Sequence, residues 1–555
     1  MVEVLPFYDM TTNQPAMFSL GHLDDLSVAA MKMVNVDGRR LCVVRTADGV
    51  FALDNACPHE GYGLTTGDLQ GDLVTCAWHN WKFRVTDGRC VQGEEDVRSH
   101  PVHIGEDGSL SVNIVEPDPA DARPILMQSL RRGMANDYVG QVSRDVVRLL
   151  RADANPGELF WEAVAYGAPR AEFGWGHAIA SLTDCLSMTG NYDGDQRALP
   201  IVQAIAGVAE TERGRPARQL PAPVAALPPD PRAVFRALVE AEDLSQAQAL
   251  LRGAIHGGRE ARDLKGWFTD VVSDHHISYG HGAIYTQKAF ELLDALGWER
   301  ADTVLPHLVP TLVYGTREDK LPYMRPFLRE MAALDLAAIT DAASEPYAEW
   351  IDDGRLLAAL LGKDRGAAAK QAGLALLGGS GIDRVLDVVV AAVSERMLRY
   401  DPAGEFDFHD DFGWLDITHG LTYANAVRGH ATNASITPGL VRLVLWTAFL
   451  ANWTGRHEWH SAVGRRAEIE PLSTDIDEYG RALQHVALLD GTTAFIVHAH
   501  AVKMSVASAA EARRLRSSLP LDATARFMRA PKLERFVAAQ VFRSIDAASG
   551  RTPRD

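Results

Sequence analysis

Residues 57–83 read CPHEGYGLTTGDLQGDLVTCAWHNWKF. The stretch holds two of the chain's five cysteines, and a histidine follows each closely: Cys57-Pro58-His59 and Cys76-Ala77-Trp78-His79. Sixteen residues separate His59 from Cys76. Four soft or borderline ligands at C-x-H and C-x2-H suit either a zinc ion or an iron–sulfur cluster. Gly61, Gly63, Gly67, Pro58 and two tryptophans enclose the pairs. Loop glycines let backbone N–H groups approach bridging sulfides.

Outward from this stretch, residues 1 to about 115 read as all-β. Asp-Gly pairs stand at 37–38, 48–49, 87–88 and 107–108, most of them between short runs such as LCVVRT and VFAL, or VHI and LSVNI. Asp-Gly between such runs predicts tight hairpins, because their turns need positive φ. VEPDPADARP (115–124) then reads as a Pro-rich polar linker, placed at 116–124, and a domain boundary.

With its motif C-x-H-x15–17-C-x2-H, the region from about 20 to 115 resembles the Rieske [2Fe-2S] family. The resemblance implies that Cys57 and Cys76 hold one iron and His59 and His79 the other. Respiratory Rieske proteins carry two more cysteines that clamp the loops; Tyr62 and Trp78 stand there in this chain. The segment therefore looks like the ferredoxin and oxygenase branch, with a lower potential. Cys42, Cys90 and Cys185 are expected to be core thiols.

Composition bounds the rest. At 555 residues the chain is too long for one ordinary core. With 47% hydrophobic and 23% charged residues it reads as soluble and globular. A net charge of −18 argues against nucleic-acid binding. No apolar run reaches the ~18 residues of a membrane span. MVEVLPFYDM lacks the pattern of a signal peptide, and five cysteines are no disulfide framework, so a cytoplasmic protein is expected.

Residues 125–555 read as a large, mainly α-helical domain, with a second Pro-rich stretch at 213–231 as an internal break. The fold class expected is thus multidomain: an N-terminal all-β Rieske domain followed by a helical one. Fourteen of the 19 histidines lie after residue 120. SDHHISYGH spaces His276 and His281 with Asp274 seven residues before His281. WLDITHGLTY sets Asp416, His419 and Tyr423 at offsets 0, 3 and 7, largely one helix face. Carboxylate and histidine three apart is how helix bundles present metal ligands. GWGHAIASLTD adds His177 and Asp184, and FIVHAHAVK adds His498 and His500, only one of which can face an interior site. The plainer reading is that such histidines are hydrogen-bonded core residues or surface pairs.

His276-x4-His281 matches the second half of the D-x2-H-x4-H iron motif of Rieske oxygenases, but Ser273 stands where the carboxylate belongs, and those enzymes have a mixed α/β catalytic domain. SDHHISYGHGAIYTQKAFELLDALG, and GEFDFHDDFGWLDITHGLTYANAVR followed by LVRLVLWTAFLANW, resemble questin oxidase-like proteins over about 270–510. That resemblance implies a helical domain inserting oxygen into a polycyclic aromatic ketone or similar apolar substrate, with His281 and His419 as site residues.

The expectation is a [2Fe-2S] domain that passes single electrons to a helical oxygenase domain. Tyr423 joins His281 and His419 as a catalytic candidate, and Asp274, His276, His281, Asp416 and His419 are candidates for a second non-heme iron or other metal. An NAD(P)H-dependent flavin reductase or a ferredoxin reductase is the implied donor. Dioxygen and a small apolar organic compound are the implied substrates, and a homo-oligomer is compatible with the sequence. The alternative is a ferredoxin carried on a non-catalytic helical docking scaffold.

Overall fold

The Asp-Gly pairs turn where the strand pattern places them. A computed structural model describes residues 17–116, 118–407, 412–459 and 465–550. The stretch MVEVLPFYDM and residues 408–411 of the Asp-Phe-rich segment lie outside them. The chain divides into two compact units, Met1–Ala154 and Asn155–Asp555.

Among its described residues the first unit has eleven strands: β1 (Met17–His22), β2 (Ala30–Val36), β3 (Arg39–Arg45), β4 (Val50–Asp54), β5 (Asp68–Gln70), β6 (Leu73–Thr75), β7 (Lys82–Arg84), β8 (Cys90–Gln92), β9 (Ser99–His100), β10 (Val102–Ile104) and β11 (Ser109–Asn113). They form three antiparallel sheets in the orders β1-β11-β10, β2-β3-β4-β9 and β5-β6-β7-β8. The four Asp-Gly pairs join β2 to β3, β3 to β4, β7 to β8 and β10 to β11. One core packs Cys42, Val44, Leu53, Leu64, Val74, Phe83 and Val85 together with Cys57 and Cys76. Cys42 and Cys185 are buried as expected, while Cys90 is only partly buried.

The expected linker is where sequence and structure part. Most of it belongs to helix α1 (Pro119–Asn136), and α2 (Val139–Arg151) follows after Asp137 in the left-handed region. The reason is local: the Asp118 carboxylate accepts from Ala120 N at 2.7 Å, and Pro119 occupies the first helical position, so Asp-Pro here starts a helix. Both helices fall in the first unit, so the boundary lies near 154. Arg148 pairs with the buried Glu95 at 2.6 Å, and Ser129 and Gln141 extend that polar network.

The described residues of the second unit are mainly helical. Its helix Pro438–Trp453, which contains the longest apolar run, is buried on nearly every side; Arg442 leaves the core to bond Asp274 at 3.2 Å. A helix apolar all round is the mark of a central core element. No helix among the described residues is long and apolar enough to cross a membrane. The Pro-rich stretch after Glu212 is irregular, but Arg218 N bonds Pro169 O at 2.7 Å and Val224 N bonds Ala249 O at 3.0 Å. These bonds tie the stretch down as a loop inside one unit, not as a break between two.

Four helices of this unit pack in a closed ring: His177–Met188, His281–Leu296, Trp414–Ala431 and Phe495–Leu515, each against the next and the last against the first. They are called below by their histidines: the His177, His281, His419 and His500 helices.

Candidate functional site

The two Cys-His loops are built alike. One runs from β4 to β5 and the other from β6 to β7. In each, the cysteine N–H bonds a carbonyl five residues on: Cys57 N to Tyr62 O and Cys76 N to Trp81 O, both at 2.8 Å. Buried Asn55 accepts from Thr65 N at 2.9 Å and steadies the first loop. A Cβ on Gly67 would lie 1.9 Å from the Thr75 carbonyl oxygen, so glycine is what lets the first loop close on the strand leading to Cys76.

The thiols of Cys57 and Cys76 are 2% exposed and in contact with each other. The imidazoles lie on the outer side, with ring centroids 4.5 Å apart. His59 stacks on Trp81 at 4.8 Å and meets the edge of Tyr138 at 5.7 Å. Its Nδ1 is buried without a protein partner. Trp78 and Tyr62 stack on each other at 4.7 Å. The Arg144 guanidinium of α2 donates to the Pro58 carbonyl between Cys57 and His59. Burial pushes the Cys57 thiol up to about 12, so only a bound metal would hold it as thiolate. Two facing buried thiols, two imidazoles at an open edge and an orphaned ring nitrogen are a donor set that fits a two-iron cluster.

Comparison with known proteins agrees with this geometry. The Rieske [2Fe-2S] domain family matches residues 16–103. The ferredoxin component of the naphthalene 1,2-dioxygenase system of Pseudomonas aeruginosa is 30% identical over 73 residues, which are 13% of this chain and 70% of that protein. Through its first unit, the chain belongs to the Rieske [2Fe-2S] family. A cholesterol 7-desaturase of Xenopus laevis is 42% identical over 57 residues, and the chain spans only 13% of that protein's length. Among solved structures, the ferredoxin of carbazole 1,9a-dioxygenase from Nocardioides aromaticivorans IC177 is 25% identical; the match covers 19% of this chain and 100% of that one, with a TM-score of 0.17. A Rieske domain carries a [2Fe-2S] cluster and moves one electron at a time.

A second cluster of histidines lies inside the helical ring. His419 Nε2 stands 2.8 Å from His281 Nε2 and 3.3 Å from His500 Nε2. The His177 ring is 4.9 Å from His281 and 4.7 Å from His500, centroid to centroid. His419 and His500 are buried, while His177 and His281 keep some exposure. Burial, assisted by Lys503, holds the His419 imidazole down to about 3, and the other three are also held well below the usual range. The rings are neutral bases.

The remaining candidates stand apart. Asp274 pairs with Arg236 and Arg442. His276 is fully buried, with Nδ1 on Glu318 at 2.9 Å and its ring against Tyr423, Trp446 and Phe449. Asp416 accepts from Gly413 N at 2.8 Å, capping its own helix, and faces Arg456. Tyr423 packs against Gly280 and His276. The same-face argument for Asp274 and His281 fails because the first helix stops at Asp274 and His275 is extended. Conversely, His177 and His500, noted in the sequence but not assigned, enter the cluster, whereas His498 does not. Lys503 was missed; its place three residues after His500, on the same face, was the available signal.

The entry to His281 is strained. Ser278, Tyr279 and Gly280 have φ of 47°, 55° and 86°, three consecutive left-handed residues. Glu318 holds the turn by accepting from Tyr279 N at 2.8 Å while pairing with His276. Such strain is stable only where surroundings enforce it. A Cβ on Gly280 would lie 2.6 Å from the Tyr423 ring. Gly280→Ala should therefore cost about 2–4 kcal/mol, read as a lowered denaturation midpoint. An unchanged midpoint would contradict this account of the turn.

Lys503 Nζ hydrogen-bonds His177 Nδ1 at 2.8 Å. Burial lowers its ammonium to about 7 from 10.5; Asp184 opposes this and Lys288 adds to it. Asp184 is itself paired with Lys288 at 2.7 Å. Between those two pH values the unfolded chain binds more protons here than the folded one, so stability rises with pH across the window. Below about 7 the folded chain bears the full cost of the buried ammonium. The melting-temperature difference between Lys503→Met and wild type should favour methionine most near pH 6 and shrink toward pH 10. Leaving His177 Nδ1 unpaired adds only a constant offset. A difference independent of pH would contradict the burial argument.

Proposed function

We propose that the chain is a two-part oxidoreductase in which the Rieske cluster feeds electrons to an oxygenase site in the helical unit. The observation that carries this reading is the convergence of His177, His281, His419 and His500 from four helices into one cluster, in a chain that also holds an electron-carrier domain. Cys57 and Cys76 hold one iron of the cluster and His59 and His79 the other. The cluster, when bound, supplies electrons singly. An NAD(P)H-dependent flavin reductase or ferredoxin reductase reduces it, in keeping with the naphthalene dioxygenase ferredoxin among its relatives.

The helical site takes dioxygen and a small apolar substrate. The resemblance to questin oxidase-like proteins points to a polycyclic aromatic ketone. Inserting one oxygen atom and releasing the other as water consumes two electrons and two protons. The reductase supplies the electrons. Lys503 Nζ, bonded to His177 Nδ1, gives protons a route to the site.

The test is incorporation of labelled oxygen. The full-length protein, with a reductase and NADH, is given 18O2 and a panel of polycyclic aromatic ketones. One 18O atom in a product is the expected result. No labelled product with any member, together with cluster reoxidation at the same rate with and without each compound, would return the chain to an electron carrier on a helical scaffold.

A further inference from the structure

The expected second metal site joined Asp274, His276 and Asp416 to His281 and His419, and none of the first three reaches the histidine cluster. What does reach it has a defined protonation pattern. His419 Nδ1 bonds the Leu415 carbonyl, and His500 Nδ1 bonds the Ile496 carbonyl at 2.7 Å, each four residues back on its own helix. A carbonyl oxygen only accepts, so each Nδ1 carries the ring's proton. In a neutral imidazole the Nε2 is then a bare lone pair. The two Nε2 atoms nonetheless face each other at 3.3 Å in a buried site. His281 Nε2 is the atom turned to His419 Nε2 at 2.8 Å, so it faces the same place.

Lone pairs of neutral bases repel at these distances unless a cation lies among them. Backbone carbonyls that fix the tautomer while Nε2 points inward are the usual support of metal-binding histidines. Lys503 is not that cation, because it is engaged at His177 Nδ1. This bond also removes that nitrogen of His177 from the donor set.

We propose that His281, His419 and His500 bind one transition-metal ion through their Nε2 atoms, without a carboxylate ligand. Imidazole donors select iron(II), copper or zinc, whereas magnesium and calcium need oxygen donors. His281 and His500 flank His419, and the three Nε2 atoms do not all lie within 4.8 Å of one another; among the described residues His59, Glu60 and His79 alone meet that measure. The ion therefore draws one flanking ring inward when it binds. Three ligands leave open coordination for substrate or dioxygen, and in this the inference rests on the oxygenase reading above.

The test uses the full-length protein with its Rieske cluster intact by electron paramagnetic resonance, so that His59 and His79 are occupied. After chelator treatment it is titrated with Co2+ alone, then Zn2+ alone, then Mg2+ alone, by calorimetry. One Co2+ or Zn2+ per chain should bind, and Mg2+ should not. His419→Gln and His500→Gln, chosen to keep size and polarity, should weaken binding by at least about tenfold. His498→Gln, on the other face of the His500 helix, should not change it. Circular dichroism and melting temperature check that the variants fold.

The proposal is overturned if wild type binds neither Co2+ nor Zn2+, or if both His419→Gln and His500→Gln bind like wild type. Metal binding without any 18O-labelled product supports this site while sinking the oxygenase reading. Labelled product from protein that binds no third metal does the reverse.

Discussion

Cys57→Ser or His79→Ala yields a protein without the visible absorption of a Rieske cluster, its electron paramagnetic resonance signal below about a tenth of wild type. The helical circular dichroism survives. Both halves follow from the structure. Cys57, Cys76, His59 and His79 are the donors proposed for the iron pair, and serine oxygen is a harder, weaker ligand than thiolate. The helical unit, from Asn155 onward, is compact by itself. A variant that keeps the signal near full intensity would show that another residue is a ligand. Loss of the helical signal along with the cluster would show that the two units fold as one.

His419→Ala removes the central ring of the histidine cluster. Product formation should fall by about 100-fold or more, as for loss of a group that touches the reacting centre, while the cluster spectrum stays unchanged. His419 is the natural choice because its Nε2 contacts both His281 and His500. Tyr423→Phe is the contrast. Tyr423 packs on Gly280 and His276 outside the cluster, so its hydroxyl should matter little to turnover. A Tyr423→Phe loss as large as that of His419→Ala would move the site toward His276 and Glu318.

The first unit was legible because its signals are local. Four Asp-Gly turns and two Cys-His pairs are each complete within a few residues, and the loops that carry them have little freedom. The α1–α2 hairpin was misread for an equally local reason: Asp118-Pro119 serves in a loop as well as in a helix cap, and composition favoured the loop. In the helical unit the limit is different. Helical periodicity says which residues share a face, but not which faces meet. His281 and His419 were singled out and stand together, whereas Asp274 was tied to His281 by a seven-residue spacing that the extended His275 and the left-handed turn at 278–280 interrupt. His177 and His500 are 323 residues apart (500 − 177), and only the closed ring of four helices makes them neighbours. Lys503 shares the His500 face three residues on, but nothing in the sequence ties it to His177, its partner in the structure.

In the function proposed above, electrons leaving the Rieske cluster are spent at the histidine cluster, and single-turnover reoxidation measures this. Full-length protein is reduced, freed of reductant and mixed with dioxygen and the substrate found by 18O labelling, and the cluster's absorbance is followed in wild type and His419→Ala. In wild type the substrate should accelerate reoxidation, and the acceleration should vanish in His419→Ala with the slow substrate-free rate retained. Equal, substrate-independent reoxidation in both proteins would contradict the claim and leave the helical unit as a scaffold.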